Sequence, residues 1–200
     1  MDERYTMSRL PYILRTNFTN EQRGLFDHII GGKRGEGRTL DTFLTSEGGM
    51  KGPFNALLYS PGVGDAVQQL GQMVRFETSI PPTLRELAIL CVAAKWRAQY
   101  EWWAHEKIAR SVGLDSTIIT SVKAGNLPAF TCPAESIVYH FAQELLEQQR
   151  VSEQYYAQTV DLLGEAGVVE LVALLGYYTL VSMSLNTFEV PVPKGKIKPF

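Results

Sequence analysis

The chain has 200 residues, of which 45% are hydrophobic, 20% charged and 10% aromatic. That composition predicts one globular domain large enough for a core, and it excludes disorder. A net charge of −2 and a pI near 6.0 supply no basic field to hold nucleic acid. The opening stretch MDERYTMSRLPYILRTNF has no apolar h-region, and the longest apolar run, Ile89 to Ala94, is short. The expectation is a cytoplasmic protein with no membrane partner. Two cysteines, Cys91 and Cys132, form no CxxC and no metal-ligand spacing.

In chain order, Asn20 is a candidate cap for a helix through Phe26 to Ile30, ended by Gly31-Gly32. GGKRGEGR (31–38) reads as a mobile, solvated loop, since no strand precedes it and no GK[ST] follows. A short amphipathic piece spans Thr39 to Ser46. Pro61 sits at a helix start, with Val63, Val67, Leu70 and Val74 at helical spacing. Pro81-Pro82 and Thr83 form a helix entrance, and Glu86, three residues after Thr83, fits a capping box.

From Leu84 to Val112 there is no Gly or Pro. A straight helix of that length would span about 45 Å, so a break is expected near Arg97–Tyr100. Gly113 ends the segment. A short helix capped by Asp115 or Ser116 follows, then helices over 135–149 and after Ser152. The last, from about Val168 to Thr187, is rich in Leu, Val, Tyr and Met and is expected at the centre of the core. The class is all-α, with seven to nine helices. Residues 1–50 form an N-terminal extension, 51–193 the main helical domain and 194–200 an exposed tail.

Glu101 and His105, at i and i+4, share a helix face, and a carboxylate beside an imidazole suits acid/base work near neutral pH. A surface ion pair would show the same spacing. Glu86 lies 19 residues before His105, so the two can meet only if the chain folds back between them. With three histidines (His28, His105, His140) and no HExxH, no protein-held metal is expected.

PPTLRELAILCVAAKWRAQYEWWAHEKIARSVGL resembles the signature helix pair of the carboxymuconolactone decarboxylase family, which includes the alkylhydroperoxidase-D-like proteins. The resemblance covers roughly residues 50–193, from GPFNALLYSP through VSEQYYAQTVDLLG to the NxFxVP pattern at Asn186–Pro191. It implies an all-helical fold assembled as a homotrimer or hexamer. Glu86 and His105 match the glutamate and histidine of the peroxidase branch's relay, but the two cysteine positions hold Ala98 and Glu101. Peroxide reduction through a disulfide needs both thiols, so the resemblance does not carry peroxidase or peroxiredoxin activity across.

The decarboxylase branch lacks CxxC and uses no cofactor. By resemblance, His105 is then the proton carrier, Glu86 and Glu101 its partners and Tyr100 a donor. Arg85 or Arg97 would hold a substrate carboxylate, with Trp102 and Asn186 as further substrate contacts. Few basic residues flank the motif, so a weakly charged, partly apolar small molecule is expected. The rival readings are a residual peroxidase using Cys91 or Cys132 and a non-catalytic oligomeric binding module.

Overall fold

The computed structural model describes residues 8–200. Among them are eight α-helices: α1 (Asn20–Gly31), α2 (Phe54–Leu57), α3 (Pro61–Phe76), α4 (Pro82–Lys95), α5 (Gln99–Ser111), α6 (Ser116–Ala124), α7 (Pro133–Gln148) and α8 (Glu153–Thr187). Strand-like pairing among these residues is limited to two isolated bridges, Leu14 with Gly49 and Leu44 with Met50.

The helix apolar on all sides is α4, and such a helix belongs at a centre. Every residue of α4 from Leu84 to Ala93 except Arg85 is buried, Glu86 included. Helices α5, α6, α7 and α8 pack around it, and α3 lies on α8. The last helix is therefore not the core's centre, as its composition led us to expect. It buries Leu171, Leu174, Leu175, Tyr178, Val181 and Leu185 but leaves Val169, Val172, Leu180 and Met183 exposed. By length and composition alone α8 could cross a membrane, against the expectation that no segment could, yet half of its apolar stretch is buried inside the protein. Gly164, at φ 73° and ψ 169°, interrupts it.

A second, smaller apolar cluster unites Phe18, Leu25, Phe26, Ile29, Phe43, Met50 and Leu58. It packs α1 and the segment that follows it against the residues leading into α3. His28 Nδ1 reaches Asp65 Oδ1 at 2.8 Å and ties α1 to α3.

Three local expectations need correction. Thr19, not Asn20, caps α1, because its hydroxyl accepts from the Gln22 N–H while the Gln22 side chain accepts from the Thr19 N–H. The 39–46 segment contains only a 3-10 turn at Leu40–Thr42. The tail is not exposed throughout. Phe200 packs edge-on against Trp102 at 5.2 Å, and the Gln99 side chain bonds its backbone N–H and C=O at 2.9 Å each.

Candidate active site

The expected break falls between α4 and α5, and its hydrogen bonds explain it. The Ala98 N–H donates to Ala93 O at 2.9 Å and the Arg97 N–H to Ala94 O at 3.0 Å, with Arg97 left-handed at φ 47°. This pairing, six-to-one with five-to-two, closes a helix end by a Schellman motif. It turns α5 back along α4, so that the 19-residue separation becomes a contact.

At that contact His105 Nδ1 lies 2.7 Å from Glu86 Oε2, and His105 Nε2 lies 3.1 Å from Glu101 Oε1. The three form a line, Glu86–His105–Glu101, with relative exposures of 1%, 4% and 5%. Both carboxylates engage the imidazole, one on each nitrogen. Burial alone would pull the His105 pKa down, but attraction to Glu86 and Glu101 outweighs it and the net direction is upward from 6.5. The capping-box role for Glu86 does not occur. No side chain caps α4, whose first turn begins with Pro82, and Thr83 lies inside the helix.

His105 and Glu101 open onto a cavity of about 400 Å³, while Glu86 stands behind them. Tyr100, Trp103, Tyr177 and Tyr178 give it aromatic walls. Tyr178 meets the His105 ring edge-on, centroids 5.0 Å apart. Burial pushes the hydroxyl pKa of Tyr100 and Tyr178 above the usual tyrosine value, so both remain donors. A Cβ at Gly52 (φ +62°) would sit 2.8 Å from the Tyr100 ring, so that position admits only glycine.

The other sequence candidates lie elsewhere. Trp102 points away from the cavity and is fully buried, its Nε1–H donating to Glu106 Oε2 at 2.7 Å. One residue on, and about 100° around α5, Trp103 lines the cavity instead. Arg97 and Asn186 line a separate depression beside the α4–α5 elbow, where Asn186 Nδ2–H donates to Trp96 O at 2.7 Å. Arg97 stacks its guanidinium over Phe200, 5.3 Å from the ring centroid. Arg85 contributes to neither space.

The cavity's cations come from where the sequence reading placed none. Arg34 and Arg38, in the glycine-rich loop, line it together with Arg75 of α3, Lys51 and Lys107. The loop is solvated over Lys33 and residues 36–38 but is pinned at Arg34, which is 4% exposed and sits over the Phe54 ring at 5.4 Å. Only the fold brings residues 34, 38 and 75 to the Glu–His–Glu line, and no spacing rule in the sequence marks them.

Neither thiol belongs to the site. Cys91 is fully buried in α4, and burial pushes its pKa up to about 12. A thiol so buried is no thiolate nucleophile at neutral pH. Cys132 is exposed at the entrance to α7. His140 stacks on Tyr155 with centroids 4.8 Å apart, outside the cavity.

No protein-family model and no curated protein matches the chain in sequence. Solved structures match it in fold. A peroxidase-related protein from Ralstonia eutropha, described as an alkylhydroperoxidase AhpD core, aligns with TM-score 0.73 and 15% identity over 94% of this chain and 93% of its own. A peroxidase-related protein from Silicibacter sp. aligns with TM-score 0.70 and 10% identity over 97% and 96%. A variant of the debrominase Bmp8 in complex with 2,3,4-tribromopyrrole aligns with TM-score 0.68 and 11% identity over 94% and 95%. The chain therefore has the all-helical AhpD-like fold, the one shared with carboxymuconolactone decarboxylase-like proteins.

Proposed function

We propose that this protein is a cofactor-independent acid/base enzyme acting on a small organic acid, lactone or aromatic-derived compound. The observation that carries this reading is the buried Glu86–His105–Glu101 line ending on an aromatic-walled cavity. A buried imidazolium held between two carboxylates stores one proton that can be delivered through Nε2 or through Glu101. Glu86, which does not reach the cavity, is a positioning residue for His105.

In a decarboxylation, the bond from ring carbon to carboxylate breaks and its electron pair enters the conjugated carbonyl as an enolate. Carbon dioxide leaves, and the relay's proton goes to the carbon; water returns a proton to His105. In this reading the hydroxyls of Tyr100 and Tyr178, both lining the cavity, donate to the developing oxyanion. A neighbour of the same fold holds 2,3,4-tribromopyrrole, a flat ring of the size such a cavity accepts. His105→Gln keeps polar atoms beside both carboxylates and removes the titrating proton. Turnover of a lactone acid or aromatic acid identified by substrate screening should then fall about 10²–10⁴-fold. Full turnover by a folded His105→Gln protein would end the proposal.

We also propose that the chain assembles as a homotrimer or hexamer. Val169, Val172, Leu180 and Met183 recur along α8 and remain exposed, a larger apolar stripe than single surface hydrophobes account for. Light scattering should give three or six times the 22.4 kDa chain mass, and a lone 22.4 kDa species at micromolar concentration would refute it.

A further inference from the structure

We propose that Arg34, Arg38 and Arg75 form an oxyanion-binding subsite, so that the substrate enters with a carboxylate or similar anionic group at one end and a flat apolar body behind it. This rests on the acid/base reading only for what happens at the other end of the cavity; the binding claim stands on its own residues.

Five cationic side chains line the cavity, against one facing carboxylate, Glu101. Glu101 is already engaged by His105. Among the described residues, none of the five cations takes part in an ion pair. Lys51 bonds the Asp41 backbone carbonyl and Lys107 lies over the Trp103 ring at 3.8 Å. Arg34 and Arg75 also lie over rings, Phe54 and Phe76, but a guanidinium stacked on a ring keeps its in-plane N–H donors free, so the arginines carry the inference.

Arg34 is the decisive member. It is only 4% exposed, and its buried Nη1 has no hydrogen-bond partner. The Tyr177 hydroxyl is a hydrogen-bonding neighbour of the guanidinium, but it is neutral and supplies no counter-charge. A guanidinium stays charged, and the one carboxylate that acts on Arg34, Glu101, makes no ion pair with it and is shared with His105, so an anion in the cavity would meet an incompletely compensated buried charge. Arg38 and Arg75 lie close enough to Arg34 for their charges to act on one another, beyond the larger effect of burial. Three mutually repelling forks facing one space attract a single shared anion, which a planar carboxylate meets bidentately. The Arg34 guanidinium also lies over Phe54, so the same wall offers an apolar face beside the charge. This proposal departs from the expectation of a weakly charged substrate, which counted only cations near the motif in sequence.

The test titrates the full-length protein with benzoate, phenyl phosphate, inorganic phosphate and neutral benzamide by calorimetry, at low and raised salt. Benzoate should bind about tenfold or more tighter than benzamide, and raised salt should weaken it. Arg34→Gln should reduce benzoate affinity about tenfold or more, and the Arg38→Gln/Arg75→Gln double variant should do likewise. Phenyl phosphate outcompeting benzoate would support the subsite and assign it to phosphate esters; inorganic phosphate alone binding would assign it to a free anion. If Arg34→Gln fails to fold, the double variant, whose side chains are less buried, decides. Equal binding of benzoate and benzamide, or affinity unchanged in both variants, overturns the proposal. In a His105→Gln background, benzoate binding that still weakens on adding Arg38→Gln/Arg75→Gln tells a dead relay with a working subsite apart from the reverse.

Discussion

The two sides of the cavity are built in different ways. The side that holds the proton is made by one stretch of chain, residues 86–105, folded back once within the large apolar cluster around α4. The side that holds the cations is assembled from a loop after α1 and from α3, resting on the smaller cluster around Phe26. The first side has every polar partner it needs: the imidazole lies 2.7 Å from one carboxylate and 3.1 Å from another. The second has a buried guanidinium nitrogen without one. The two sides therefore differ in how completely their buried polar atoms are paired within the protein.

The largest effect that would separate the two sides comes from Phe26, fully buried in the smaller cluster. Phe26→Ala should cost about 3–5 kcal/mol of stability in that cluster. Chemical denaturation followed by benzoate titration should show the cationic side loosened and benzoate binding weakened. The alkaline limb of the activity profile, set by His105, should stay in place. A limb that moves with Phe26→Ala would mean the two sides are one unit.

A smaller effect sharpens the account of the proton side. Because the folded-state pKa of His105 lies above 6.5, its charge contributes stability fully below that value, and the contribution is lost as pH rises through the folded pKa. Activity that needs imidazolium should fall over the same range. Glu86→Gln removes the largest single attraction that raises the pKa, so the alkaline limb should shift to lower pH. A limb unmoved by Glu86→Gln would assign the titration to a group other than His105.

How much of this could be read from the sequence follows from the range of each cause. Helix ends closed by glycine were legible: Gly113 and Gly125 are left-handed and complete Schellman pairings, Leu114 N–H to Ala109 O and Asn126 N–H to Ser121 O. The same closure at Arg97 and Glu189 carries no glycine, so the α4–α5 elbow was legible only as a length that no compact domain could keep straight. The Glu101–His105 pairing follows from i, i+4 spacing. That Glu86 joins them depended on the elbow, and Thr83 offered it a competing local role. Trp102 and Trp103 are neighbours in sequence and face different ways, and which one meets the cavity depends on α5's rotation against α8. Arg34, Arg38 and Arg75 were beyond reach, because no local pattern records what a loop packs against.

The glycine-rich loop has one more implication, for how such a protein changes over evolutionary time. It joins α1 to the 3-10 turn at Leu40–Thr42 and supplies two of the three arginines, and it lies outside the helices that pack around α4. Connecting segments tolerate replacement far better than the elements they join. If the arginines bind substrate as proposed, substitutions at the exposed position 38 would retune which molecules are admitted while leaving the Glu86–His105–Glu101 contacts in place, and selectivity could then diverge separately from chemistry.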